Sequence, residues 1–249
     1  MASWEDKPVE KPPGAQPTIP EAEVALIIPH QAWVTLEWAV AFKDLQLPTY
    51  RRYFNKGYPW DIARETMTRG ALKDGCKYLF FVDSDVVLND PLTYLKLKQI
   101  MDERNLPIVS GLYYAKKTPP VPAAWIFGPS NGRNISFNII DNTKMKEYIA
   151  NNNLLEVSVV GLGCTLVRRD VFEKLELKFP GRPFFRWGLE HTDAELEMYD
   201  NFRTSEDFNF FIQCDRIGIR PQLACGVLCD HQADAKHNRF DGHLEHLGV

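Results

Sequence analysis

Long apolar runs are missing from this chain of 249 residues. Its longest, VALII (24–28), YLFFV (78–82) and the glycine-interrupted VSVVGLGCTLV (157–167), stop well short of the roughly 18 residues that cross a bilayer, so no membrane span is expected. The first residues, MASWEDKPVEKPPGAQP, hold no apolar segment of the kind a cleaved secretory signal needs, and a cytoplasmic location is the expectation. Cysteine is scarce: five thiols, an odd number, read as reduced side chains and not as a disulfide framework. Cys225 and Cys229, spaced C-x3-C in an apolar stretch, fit core positions better than half a zinc site. An excess of basic charge is absent too. With 29 Lys and Arg against 33 Asp and Glu, the net charge is −4, and nothing draws the protein to phosphate backbones or anionic lipid. Nucleic acid is therefore not expected as a main partner. What is present, 45% hydrophobic and 25% charged residues, is the make-up of a globular chain large enough to bury a substantial core.

Residues 1–20 carry five of the seventeen prolines among charges, with no periodic apolar pattern, and are read as a disordered Pro-rich tail that cannot offset its ordering entropy by burial. One domain is expected over 21–249. EVALIIPH reads as a first buried strand and VTLEWAVAFKDL as a helix. PTYRRYFNKGYPW reads as a polar aromatic turn region. DIARETMTRGALKDG is predicted as a helix with Asp61 as N-cap and Gly75 as C-cap, followed by the buried strand KYLFFVDSD. PLTYLKLKQIMDERN, opening with Pro91 after Asp90, reads as a further helix, and LPIVSGLYY as a strand. Strands and helices thus alternate, which predicts an α/β fold with a mainly parallel sheet covered on both faces. From 111 to 160 the chain is richer in Pro, Gly and Asn, with short strand-like pieces. Beyond it come a strand, glycine turn and helix in SVVGLGCTLVRRDVFEKL, a helix in SEDFNFFIQCDRIG and a last strand in IRPQLACGVLCDHQ. No internal repeat is visible.

Four features carry chemistry. Asp83 and Asp85 lie two residues apart at the carboxyl end of an apolar strand, where the ligand crevice of a doubly wound sheet opens. Two carboxylates that close repel, and a divalent cation would let both stay ionised; a solvated turn whose acids cap the next helix is the plainer alternative. Gly161 and Gly163 flank Leu162 between an apolar strand and a helix. Such glycines either let backbone approach a ligand or form a structural bulge. Ser205 fits an N-cap, and Glu206 and Asp207 stand in the first helical turn, a place acids favour for dipole reasons alone. His231 closes the last strand, and Lys236, His237 and Arg239 follow in a polar, basic segment. His243 and His246 have no further partner for a zinc site and read as solvated.

In this order the features resemble the GT-A fold of nucleotide-sugar-dependent glycosyltransferases, similar to family 2-like inverting enzymes, over about residues 21–235. The resemblance implies a Rossmann-like nucleotide-binding half over about 21–110 and a mixed acceptor-binding half over about 111–235. It implies a metal, Mn2+ or Mg2+, held by Asp83, Asp85 and His231, with Asp83 also facing the ribose and Ser84 beside it in the donor site. Pro29, His30 and Gln31 would border the nucleotide base, Arg64 would reach towards the nucleotide, and Lys236 would cover the diphosphate. The family pattern around that arginine is Ala-Arg-Asn, and Glu65 replaces the Asn here. Gly161 and Gly163 would lie beneath donor sugar and acceptor, Asp207 would be the general base, and Glu206 would support acceptor or donor. Trp187, Gly188 and Glu190 faintly resemble a WGxED acceptor loop, although His191 stands where that motif has an acid. The donor would be a UDP- or GDP-sugar; whether a glycan, a lipid-linked sugar or a protein accepts the sugar is not written in the motifs. Two other readings compete. DSDVVL also satisfies the nucleophile string of haloacid dehalogenase-like phosphohydrolases, though a strand and two helices precede it. An inactive sugar-nucleotide or glycan-binding module is the other, against which the intact DSD, SED and terminal His count.

Overall fold

The computed structural model describes residues 22–30, 34–128, 136–187 and 205–232. The tail, Gln31, Gly188, Glu190, His191, Lys236, His237, Arg239, His243 and His246 lie outside them. The first strand, β1 (Val24–His30), places Val24, Leu26 and Ile28 on one face and Ala25 and Ile27 on the other, and all five are buried. Burial on both faces is why this strand is written as a continuous apolar run without alternation. Helix α1 (Leu36–Asp44) starts at Thr35, whose hydroxyl accepts a hydrogen bond from the Trp38 amide at 3.1 Å.

The segment expected as a turn region is instead a strand, β2 (Tyr50–Lys56), paired parallel to β1 at the sheet edge. Its three basic residues disguise it, because an edge strand with charged side chains need not look apolar. Helix α2 (Trp60–Lys73) begins one residue before Asp61, so Asp61 is not its N-cap. The C-terminal expectation fares better: Asp74 holds the cap position, and Gly75, at φ +81°, takes the left-handed conformation that ends the helix. After β3 (Tyr78–Val82) and β4 (Val86–Val87), Asp90 accepts from the Leu92 amide as an N-cap side chain does, and α3 (Thr93–Glu103) follows.

The second half supplies β5 (Ile108–Leu112), the hairpin β6 (Tyr114–Ala115) and β7 (Val121–Pro122), β8 (Ala124–Phe127), β9 (Phe137–Ile139) and α4 (Asn142–Ala150). It continues with β10 (Leu154–Glu156), β11 (Val159–Val160), β12 (Cys164–Arg168), α5 (Arg169–Lys178), α6 (Glu206–Arg216), β13 (Gln222–Leu228) and β14 (Asp230–His231). The glycine turn therefore joins two strands, β11 and β12, and not a strand to a helix. Seven strands form the central sheet in the order β10-β13-β5-β12-β3-β1-β2. In it β1, β2, β3, β5 and β13 run one way, while β12 and β10 run against them. One apolar layer, with Phe81, Phe172, Phe185 and Phe210, packs α2, α5 and α6 on one face; another, with Phe80, Tyr94, Leu97 and Met101, packs α1 and α3 on the other. All five cysteines are buried and free, as expected for reduced core thiols.

Candidate functional site

The site is assembled where β3 stops. The Asp83 amide donates to the Gly163 carbonyl at 3.2 Å, the last rung between β3 and β12, and the indole of Trp38 on α1 donates to the Asp83 carbonyl at 2.9 Å. The Val86 amide returns to that same carbonyl at 3.1 Å, turning the chain so that Asp83 and Asp85 leave the strand in a tight loop with Ser84 buried between them.

Arg64 organises what faces this loop. It rises from the first turns of α2 and is only 2% exposed, so it is not a surface arginine paired along its own helix. One guanidinium nitrogen holds Asp83 Oδ1 at 2.5 Å; the other holds Asp207 Oδ1 at 2.6 Å and Glu206 Oε1. Three carboxylates thus share one guanidinium, and with all of them ionised the four groups carry a net charge of −2. Removal from water works against the Arg64 charge, but the three acids around it outweigh that and hold its pKa above the ordinary value. Burial raises Asp83 despite Arg64. Burial, with Asp207 next to it, pushes Glu206 up to about 8, which favours its protonated form near neutral pH and eases the crowding of negative charge. Glu206 Oε2 is buried without a hydrogen-bond partner, which makes it the oxygen free to carry that proton. The acids at the start of α6 also face its positive end, as anticipated.

The second carboxylate oxygen of Asp207 lies 3.3 Å from the Leu162 amide, inside the glycine turn. Here the glycines are needed for space. A Cβ on Gly161 would come 2.0 Å from the Tyr113 hydroxyl, and one on Gly163 would meet Val86 Cγ2 at 2.6 Å. The turn is thus packed on Tyr113, whose hydroxyl accepts from the Gly163 amide at 3.0 Å.

Tyr113 stands edge-on to His231, with ring centres 5.3 Å apart. His231 is brought beside the DSD loop because β14 pairs with β4, His231 opposite Val86, and the Gln232 amide donates to the Asp85 carbonyl at 2.7 Å. His231 Nδ1 lies 2.8 Å from the Tyr114 carbonyl, a partner that fixes a proton on Nδ1 and aims Nε2 at Asp85 Oδ2, 3.5 Å away. Asp85 also accepts from Lys116 Nζ at 2.7 Å. Burial would raise the Asp85 carboxyl, but His231 and Lys116 prevail and lower it to about 2, so it is ionised at neutral pH.

Of the expected metal ligands the structure brings Asp85 and His231 together, while Asp83 Oδ1 is committed to Arg64; no group of three metal-ligating side chains exists among the described residues. The donor set still fits a divalent cation with two protein ligands, an ionised carboxylate and an imidazole nitrogen whose other nitrogen is anchored, leaving the remaining positions to oxygens of a ligand and water. Pro29 is buried in β1 at the same sheet edge, and His30 pairs in register with Lys56. Trp187 is exposed, and its amide is held by Asp61 at 3.0 Å, which gives Asp61 a tethering task in place of capping. Glu65, the departure from the family pattern, accepts from the Phe184 and Phe185 amides at 2.8 and 3.1 Å and so fixes the segment leading to Trp187. Sequence reasoning missed Trp38, Tyr113 and Lys116. Only Tyr113 had a faint signal, as a tyrosine at the carboxyl end of a buried strand.

No protein-family model matches the chain, and no curated protein matches it in sequence. Among solved structures, A197 from STIV aligns over 85% of this chain and 86% of its own at 20% identity, with a TM-score of 0.53. CMP:2-keto-3-deoxy-manno-octonic acid synthetase complexed with CTP aligns over 81% and 89% at 12% identity and 0.40. GalNAc-T7 with UDP, GalNAc and Mn2+ aligns over 86% of this chain and 44% of its own at 11% identity and 0.48. The chain is an α/β protein with a mostly parallel central sheet flanked by helices, the fold class expected from its sequence. It shares that fold with A197 from STIV.

Proposed function

We propose that the protein is a metal-dependent GT-A glycosyltransferase that moves a sugar from a nucleoside-diphosphate donor, a UDP- or GDP-sugar, to an acceptor hydroxyl with inversion. The observation that carries this reading is that, at the carboxyl edge of the parallel strands, Asp83 and the α6 acids gather on one buried Arg64 while Asp85, two residues on, meets His231. A bound Mn2+ or Mg2+ would be held by Asp85 and His231 and would supply positive charge for the departing diphosphate.

The chain's own groups do the rest. Asp207, partly exposed and steadied by Arg64 and the Leu162 amide, takes the proton of the acceptor hydroxyl. Glu206, buried beside that base and bound to the same guanidinium, supports the donor or acceptor side by holding Arg64 in place. The glycine turn brings backbone close to the reacting centre, and Tyr113 keeps it there. Pro29, His30 and Ser84 border the nucleotide side, and Trp187 offers an exposed ring for an acceptor to stack on. In the phosphohydrolase reading the nucleophile would be Asp83, one of whose oxygens is tied to the buried Arg64 guanidinium.

The test is Asp207→Asn, which keeps the shape and removes the proton acceptor. Sugar transfer should fall by roughly 10²–10⁴ while UDP or GDP affinity stays within a few-fold. Near-normal transfer would reject this base, and a collapse seen only in Glu206→Gln would move the role one residue earlier.

A further inference from the structure

Lys116 has no part in the reading above, yet its ammonium occupies the one place where that reading needs a cation. It leaves the turn between β6 and β7 and lies 2.7 Å from the same Asp85 oxygen that faces His231 at 3.5 Å. The two contacts are set by one piece of backbone: the Tyr114 carbonyl orients the imidazole, and two residues later Lys116 reaches the carboxylate. A third of the Lys116 side chain remains exposed, so the ammonium can leave Asp85 without the removal of packed core. Lys117, the next residue, is exposed and adds a second positive charge to the turn.

We propose that Lys116 is a built-in counter-cation of Asp85 that competes with the divalent metal and, once displaced, binds the phosphate oxygens of the donor. An ammonium and a divalent cation cannot both sit on one carboxylate oxygen at contact distance without strong repulsion, so metal binding must move Lys116 outward. Outward is where the anionic diphosphate lies if the nucleotide-sugar reading holds, on which this second half rests. A lysine suits the task because its compact charge on a flexible stem can change partners where a planar guanidinium would be held. Metal loading and donor binding are then linked through one side chain: the metal frees the lysine, and the phosphate takes it up.

The experiment compares wild type, Lys116→Met and Lys116→Arg as full chains, with circular dichroism melting to show that each is folded. Mn2+ alone is titrated first by calorimetry. Lys116→Met should bind Mn2+ roughly fivefold or more tightly than wild type, because a contact occupied most of the time lowers the fraction of protein competent to bind metal. Lys116→Arg, whose guanidinium is held more firmly on Asp85, should bind Mn2+ no more tightly than wild type. UDP is then titrated in saturating Mn2+, where Lys116→Met should bind about tenfold more weakly. Equal Mn2+ affinity in wild type and Lys116→Met, or no Mn2+ binding by either, overturns the competition; equal UDP affinity overturns the phosphate contact. If wild type binds neither UDP nor GDP, the nucleotide-sugar reading fails together with the phosphate half, while the Mn2+ comparison still decides the competition by itself.

Discussion

Removing Arg64 puts the greatest strain on the site as described. Its side chain is 3% exposed, against 16%, 5% and 18% for Asp83, Glu206 and Asp207, so Arg64→Met leaves three acids facing one another in a place nearly out of reach of water. Taking one partner from a buried ion pair costs about 3–5 kcal/mol, chiefly through the charge left behind. For a chain of this size about 1 kcal/mol moves the melting temperature by ~2–4 °C, so the expected fall is about 6–20 °C. Part of it should be recoverable in two ways. At pH 5.5 the unpaired acids take up protons more readily, and the deficit against wild type should shrink compared with pH 8. In Arg64→Met with Glu206→Gln one acid is gone, and the melting temperature should lie above that of the single variant. Arg64→Lys keeps a charge but cannot reach three carboxylates with a planar fork, and should fall between the two. Differential scanning calorimetry at both pH values measures all of this. An Arg64→Met protein that melts within about 1 °C of wild type at pH 8 would refute the buried network.

Three other outcomes follow from single residues. The raised carboxyl of Glu206 means that the folded chain holds a proton which the unfolded chain, with an ordinary value of 4.5, has released; stability contributed by this group therefore declines as pH rises from about 4.5 through about 8, and Glu206→Gln should flatten that decline in melting experiments. Gly161→Ala should destabilise by about 1–3 kcal/mol through overpacking on Tyr113, and adding Tyr113→Phe should recover part of the loss; no loss in chemical denaturation would show that the turn yields easily. Asp207→Asn should change the melting temperature by only a few degrees while transfer collapses, because Asp207 is partly exposed and its place at the helix start is worth about 1 kcal/mol or less. A melting change as large as that of Arg64→Met would make it a structural acid.

The local signals written in the chain concern strands and the residues at their ends. YLFFV followed by DSD needs no neighbour to be legible, since a run buried on both faces is apolar throughout and ends in polar residues where it reaches the sheet edge. Ser205, Glu206 and Asp207 are legible for the same local reason, as a helix start with its acids on the positive end. The β2 strand was not, because its edge position, and not its composition, lets it carry Arg51, Arg52 and Lys56. The site itself belongs to the tertiary structure. Arg64 meets Glu206 across 142 residues and Lys116 meets Asp85 across 31, and such pairings leave no periodicity for a sequence pattern to record. Glu65 shows the limit most plainly: by sequence it is a departure from a family motif, and only the fold supplies the two amides that it binds. Local propensity depends on a few neighbouring residues, whereas which acid shares a guanidinium, and which keeps its proton, is decided by burial and charge that exist only after the sheet has closed.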